Sequence, residues 1–139
     1  MSVESGVLVI HCSDPRYQAQ FRDFVRNQLG VERYALLAVP GGPQLLAPSE
    51  DLPKFPWVGW QWVKFLGKLG HAARVILIAH QDCQWYQDAR FAAAPANLRA
   101  RQIRDLDEVS ARLRERFGDA RIERYYARLE GDLAVFDSV

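Results

Sequence analysis

Cys12, Asp14 and Arg16 alternate in His11-Cys12-Ser13-Asp14-Pro15-Arg16, and His80 and Cys83 stand three apart in His80-Gln81-Asp82-Cys83. Two thiolates and an imidazole form a donor set that suits tetrahedral zinc, and three protein ligands leave a fourth position open. An open zinc site acidifies a bound water, so that hydroxide is available near neutral pH. Two thiolates cancel the charge of the ion, however, so this zinc should acidify its water less than a site of three histidines would. A neighbouring acceptor that orients the hydroxide would help. Asp14, two residues after Cys12, is placed to accept its proton in a hydrogen bond. Arg16 is placed to grip Asp14 by a bidentate pair, keep it ionised and attract an anionic substrate or product. Asp14 could also swing onto the metal and close the site, which Arg16 would oppose by competing for it.

Both motifs end short apolar runs. Val7-Leu8-Val9-Ile10 and Val75-Ile76-Leu77-Ile78-Ala79 are continuous and rich in branched residues, as expected of strands buried on both faces. In a parallel sheet both would deliver their polar residues to one carboxyl edge, where open α/β sheets place their ligands. Asp14 falls near the start of a first helix with Pro15 in its opening turn, and Phe21, Phe24, Val25 and Leu29 recur at helical spacing before Gly30. Tyr34–Val39 reads as a second strand. It ends at Pro40-Gly41-Gly42-Pro43, where a backbone without side chains can pass close to a bound group. Residues 40–56 hold five of the seven prolines and read as a loop.

Trp57–Leu69 reads as a second helix. Trp57, Trp60, Trp62 and Phe65 lie on more than one of its faces, which suits burial against both the sheet and a second subunit. Asn97 is a cap for a third helix with an apolar stripe of Leu98, Leu106, Val109, Leu113 and Phe117, ended by Gly118. Its arginines alternate with Asp105, Asp107, Glu108 and Glu115, the pattern of a solvated face. Arg121–Arg128 and Leu133–Val139 flank a glycine turn and read as a hairpin or bent edge strand. The order β-α-β-α-β-α-β predicts an α/β fold with a mainly parallel central sheet flanked by helices. His11 should face away from Cys12, and His71 should lie on the surface. Gln81, Trp85 and Tyr86 are candidates for a pocket wall.

The chain has 139 residues, which predicts one domain spanning 1–139. A formal charge of +1 gives no field suited to nucleic acid or an acidic membrane surface. No stretch approaches the ~20 apolar residues of a membrane span, and the first residues lack a basic segment leading into an apolar one. The expectation is a soluble, cytoplasmic protein. Two cysteines are too few for a disulfide scaffold; they leave metal binding, a redox pair or two buried thiols.

Cys12-x-Asp14-x-Arg16 after a first strand, with His80-x-x-Cys83 after a later one, resembles the β-class carbonic anhydrases. The similarity runs from Val7 to the final hairpin. The resemblance implies an α/β sheet, a homodimer or a multiple of one, and reversible hydration of carbon dioxide to bicarbonate by zinc-bound hydroxide. It implies one zinc per chain on Cys12, His80 and Cys83, with Asp14 and Arg16 as the catalytic, orienting dyad. In some members the motif aspartate is itself the fourth ligand. The chain departs from the family pattern at Ala79 and Gln84, where glycines are usual, and in Ala38-Val39-Pro40-Gly41-Gly42 after the second strand. The residues also admit a hydrolase of a related molecule such as carbonyl sulfide or carbon disulfide. A zinc- or anion-binding protein without turnover and a Cys12–Cys83 dithiol pair remain further readings.

Overall fold

A computed structural model describes residues 6–48, 53–88 and 97–139. Five strands form one sheet: β1 (Val7–Cys12), β2 (Ala35–Val39), β3 (Arg74–His80), β4 (Arg121–Glu130) and β5 (Leu133–Ser138). Their order is β2-β1-β3-β4-β5. The first four run parallel, and β5 returns antiparallel to β4. The expected mainly parallel sheet and C-terminal hairpin are therefore present. The apolar runs of β1 and β3 occupy adjacent central positions, buried on both faces, which is why they lack polar alternation.

Alternate residues of these strands serve two cores. Val7, Val9, Ile76 and Ile78 pack against Phe21, Phe24 and Val25, which α1 (Gln18–Asp23) and the turn after it supply. Leu8, Ile10, Val75 and Leu77 pack against Trp60 and Val63 of α2 (Lys54–Gly70) and Leu106, Val109 and Leu113 of α4 (Leu98–Arg116). A short helix α3 (Gln84–Gln87) follows β3. Among the described residues, no helix is long and apolar enough to cross a membrane.

Several local expectations need correction. The first helix starts at Gln18; Asp14 lies before it, in a turn closed by the Tyr17 amide donating to the Asp14 carbonyl at 3.2 Å. After Asp23 the helix widens by one residue, with the Leu29 amide donating to the Phe24 carbonyl. Residues 40–56 are not all loop: Gly42–Leu46 form a tight, largely buried helical turn, and α2 begins at Lys54. The Asn97 side chain makes no capping hydrogen bond. In α2 only Trp60 of the three tryptophans is buried; Trp57 and Trp62 are exposed, as is Phe65. His71 is exposed at the end of α2, as expected.

The Gly41-Gly42 turn packs closely on strand β1. A Cβ at Gly42 would sit 2.7 Å from the Cys12 amide nitrogen and 2.8 Å from the His11 carbonyl carbon, with φ at +58°. Gly30 also has positive φ, but nothing lies within 4 Å of its missing Cβ. Gly30→Ala should therefore cost only the backbone term, about 1 kcal/mol, whereas Gly42→Ala should cost about 2–4 kcal/mol because strand backbone cannot give way. Urea unfolding of the two variants measures the difference, and equal losses would contradict this account.

Candidate metal centre

The centre begins with strand register. β1 and β3 are parallel neighbours, with His11 opposite Ile78, so Cys12 and His80 emerge together at the carboxyl edge. Alternation places them toward opposite faces. His80 shares the α1 side, where its ring lies 4.5 Å from that of Tyr17. His11 faces that side too, 4.4 Å from the Phe21 ring, and so points away from Cys12 as the pattern required. After His80 the chain turns through Asp82, whose φ of +62° is left-handed, and this brings Cys83 back to the edge. The two sulfurs are 4.0 Å apart. Donor atoms of Cys12, His80 and Cys83 all lie within 4.8 Å of one another, and all three residues are buried.

This geometry passes two tests of fit for a metal. The His80 Nδ1 hydrogen donates to the Gln81 carbonyl at 2.7 Å, which leaves the Nε2 lone pair as the free donor. Nε2 is buried without a hydrogen-bond partner among the described residues. Buried polar nitrogens of that kind are costly unless something occupies them. Tetrahedral zinc holding two sulfurs at about 2.3 Å separates them by roughly 3.8 Å, close to the observed spacing. The two thiols are also coupled: hydrogen bonding from Cys83 holds Cys12 well below the usual thiol range against the effect of burial, while that bond and burial push Cys83 up, so one thiolate is favoured at the expense of the other. A divalent cation removes that opposition, because it stabilises both thiolates at once.

Asp14 and Arg16 stand beside the donors. The Asp14 carboxylate accepts the Arg16 amide at 2.9 Å, and Arg16 Nη2 and Nε grip it at 2.7–3.2 Å. Hydrogen bonding from Arg16 holds the carboxyl below its usual range, with burial opposing. Nη2 donates as well to the Asp82 carbonyl at 2.9 Å, so one guanidinium ties the loop after β1 to the loop after β3. Asp14 Oδ2 is 3.9 Å from His80 Nε2, yet Asp14 is not one of the three clustered donors. A cleft of about 510 Å³ opens over these groups, lined by Asp14, Arg16, Pro40, Gln84, Trp85 and Asp88 among others.

Of the three wall candidates, Trp85 lines the cleft and the other two do not. The Gln81 side chain accepts the Leu129 amide at the hairpin, and Tyr86 is buried beside the cysteines with its hydroxyl donating to Asp105 at 2.6 Å. Supporting residues that the sequence did not single out also emerge. Gln18 donates to the Cys12 and Asp14 carbonyls at 3.0 and 2.6 Å, and buried Gln102 donates to the His80 carbonyl at 2.9 Å. Asp105, expected on a solvated face, is buried, which pushes its carboxyl up against the lowering effect of the Tyr86 hydroxyl. The only sequence signal for Gln102 is its i,i+4 spacing before Leu106 on the apolar stripe of α4.

No protein-family model matches the chain, and no curated protein matches it in sequence. Solved structures do match. The structure of the β-carbonic anhydrase CcaA aligns with 96% of this chain and 82% of its own, at 13% identity and a TM-score of 0.50. That of the β-carbonic anhydrase CafA of Aspergillus fumigatus aligns with 95% and 74%, at 14% identity and a TM-score of 0.50. The fold is that of the β-carbonic anhydrases. Within this β-carbonic-anhydrase fold the donors and the carboxylate–guanidinium pair occupy the carboxyl edge of the two central strands.

The Gln102 contact is testable without any assay of turnover. Gln102→Leu preserves bulk but removes the donor that holds the His80 carbonyl. Zinc affinity, measured by chelator competition, should fall roughly tenfold while secondary structure is kept. Unchanged affinity would show that Gln102 only fills space.

Proposed function

We propose that this chain is a zinc-dependent carbonic anhydrase, which interconverts carbon dioxide and bicarbonate at Cys12, His80 and Cys83. The observation that carries the proposal is the buried Nε2 of His80, without a hydrogen-bond partner among the described residues, beside two sulfurs 4.0 Å apart and a carboxylate gripped by arginine. Cys12, His80 and Cys83 would hold the ion. When bound, zinc supplies a Lewis acid that makes water reactive near neutral pH.

The protein residues would do the rest. Asp14 stays ionised under the Arg16 fork and accepts a hydrogen bond from the reacting water, which turns the oxygen lone pair toward the substrate carbon. Its own rotation is blocked, because Arg16 engages both of its oxygens. Arg16 is fixed in turn by the Asp82 carbonyl and remains 45% exposed, so its charge is available to an anionic product. Pro40 and Trp85 provide the apolar wall against which a neutral molecule can lie.

The test has two parts. Purified protein should hold near one zinc per chain by elemental analysis. Asp14→Asn and Arg16→Gln should keep that zinc and the fold but lose at least 100-fold in stopped-flow carbon dioxide hydration. Wild-type protein with zinc bound and no hydration activity would leave a metal- or anion-binding protein instead.

The same reading includes a homodimer or a multiple of one. The surface that supports it is apolar: Leu36 on the open edge of β2 and Trp57 and Phe65 on α2 are 43%, 67% and 63% exposed. Large exposed apolar side chains on an open sheet edge and the helix beside it are candidates for protein contacts. Trp57→Lys with Phe65→Lys should shift sedimentation toward the monomer, and an unchanged dimer would place the interface elsewhere.

A further inference from the structure

We propose that the centre takes ligands with an apolar end up to the size of one aromatic ring, seated in a side chamber behind Trp85. This deepens the proposed metal reading and rests on it. The chamber is a cavity of about 240 Å³ between the end of β2, the turn at Gly42–Leu46 and α2. Pro40, Leu45, Phe55, Val58, Trp62 and Trp85 line it, and none of the described residues that line it is charged. Pro40 and Trp85 also line the cleft that holds Cys12, Asp14 and Arg16, so chamber and cleft share one wall.

That wall is fixed. Trp85 Nε1 donates to Gln44 Oε1 at 2.7 Å, and the indole rests on Gly41, where a Cβ would come within 2.3 Å of its Cδ1. Phe55 lies nearly parallel to the indole, with an interplanar angle of 11° and centroids 6.3 Å apart. A flat group between two rings needs roughly 7 Å, two carbon contacts of about 3.5 Å. Phe55 is 40% exposed, so it has room to move outward by the difference.

The volume decides what the chamber is for. A triatomic substrate needs about the volume of two waters, roughly 60 Å³ at ~30 Å³ each, so the chamber is several times larger than carbon dioxide requires. An apolar lining such as this one disfavours an ion against it. The polar end of a ligand therefore stays in the cleft by Arg16 and the metal donors, while its apolar end fills the chamber. Such a division, mostly apolar with a few convergent polar groups, is typical of small-molecule sites.

The test uses the full chain loaded with cobalt(II), with acetate and phenylacetate as probes and the visible spectrum as readout. Phenylacetate should bind about 30- to 100-fold more tightly than acetate, the factor expected for burying one ring. Val58→Trp, which fills the chamber from a half-buried position, should remove that preference and leave acetate binding unchanged. Equal affinities in the wild type, as when a second copy of the chain fills the chamber, would overturn the proposal. Toluene binding to the metal-free chain, followed by saturation-transfer NMR, separates the two readings. Toluene bound without any cobalt spectrum would overturn the metal centre alone, and no toluene binding would overturn the chamber.

Discussion

Parallel pairing of β1 with β3 at the centre of the sheet governs where each donor atom can lie. Parallel neighbours end on the same edge, so residues 12 and 80, far apart in sequence, arrive side by side without any long side chain reaching between them. The cores beneath explain why the register holds. Each strand is buried on both faces, and a slip of one residue would move Val9 and Ile76 out of the α1 core and into the other. Cys12 and His80 inherit this precision because they are the last residues of their strands.

Loops after central strands must then be tied, since a donor on a free loop has no fixed position. Arg16 supplies the tie. One guanidinium holds the Asp14 carboxylate and the Asp82 carbonyl, so the two loops move as one. Asp82 bears a left-handed backbone, which costs a non-glycine residue about 1–2 kcal/mol and persists only where its surroundings impose it. The Arg16 bond to its carbonyl and the Gln87 bond to its side chain at 3.2 Å are such constraints. From behind, Gln102 fixes the carbonyl of His80, and Tyr86, hydrogen-bonded to Asp105, packs on the cysteines. The loops are clamped from the cleft by the Arg16 guanidinium and from the core by buried hydrogen bonds.

Much of this arrangement was legible in the sequence because strong local patterns carry it. Unbroken branched runs signalled β1 and β3, and the change to polar chemistry at Cys12 and His80 signalled the edge. The glycine turn between two strand-like runs signalled the hairpin. What escaped notice depends on tertiary context. Asp105 sits among arginines at helical spacing, which resembles a solvated face, yet Tyr86 from a distant segment draws it inside. Gln102 is polar, and its bond to the carbonyl at the end of β3 accounts for its burial on α4. Asp14-Pro15 looked like the opening of a helix; the Asp14 side chain instead turns to its own Arg16, and the helix waits until Gln18, whose amide holds the loop. Gly41 and Gly42 read as a place of close approach, and the Trp85 indole and the β1 backbone lie against them.

The two strand-end loops and the Gly41–Gly42 turn also set an apolar patch against the Asp14–Arg16 pair, in a cleft that Gln84 and Asp88 line as well. On one side stand Asp14 and Arg16, which belong to the loop after β1; on the other stand Pro40 and Trp85, brought together from the ends of β2 and β3. A reaction that turns a neutral molecule into an anion benefits from such a division, because the substrate prefers the apolar wall and the product prefers the guanidinium. Neither wall can be moved without moving the donors. Trp85 lies two residues after Cys83 and rests on the turn that touches the Cys12 backbone, while Arg16 lies four residues after Cys12 and grips the loop that carries Cys83. The chemistry of the donors and the selectivity of the cleft are thus set by the same few backbone positions, which ties any change of ligand preference to a change in the geometry of the centre.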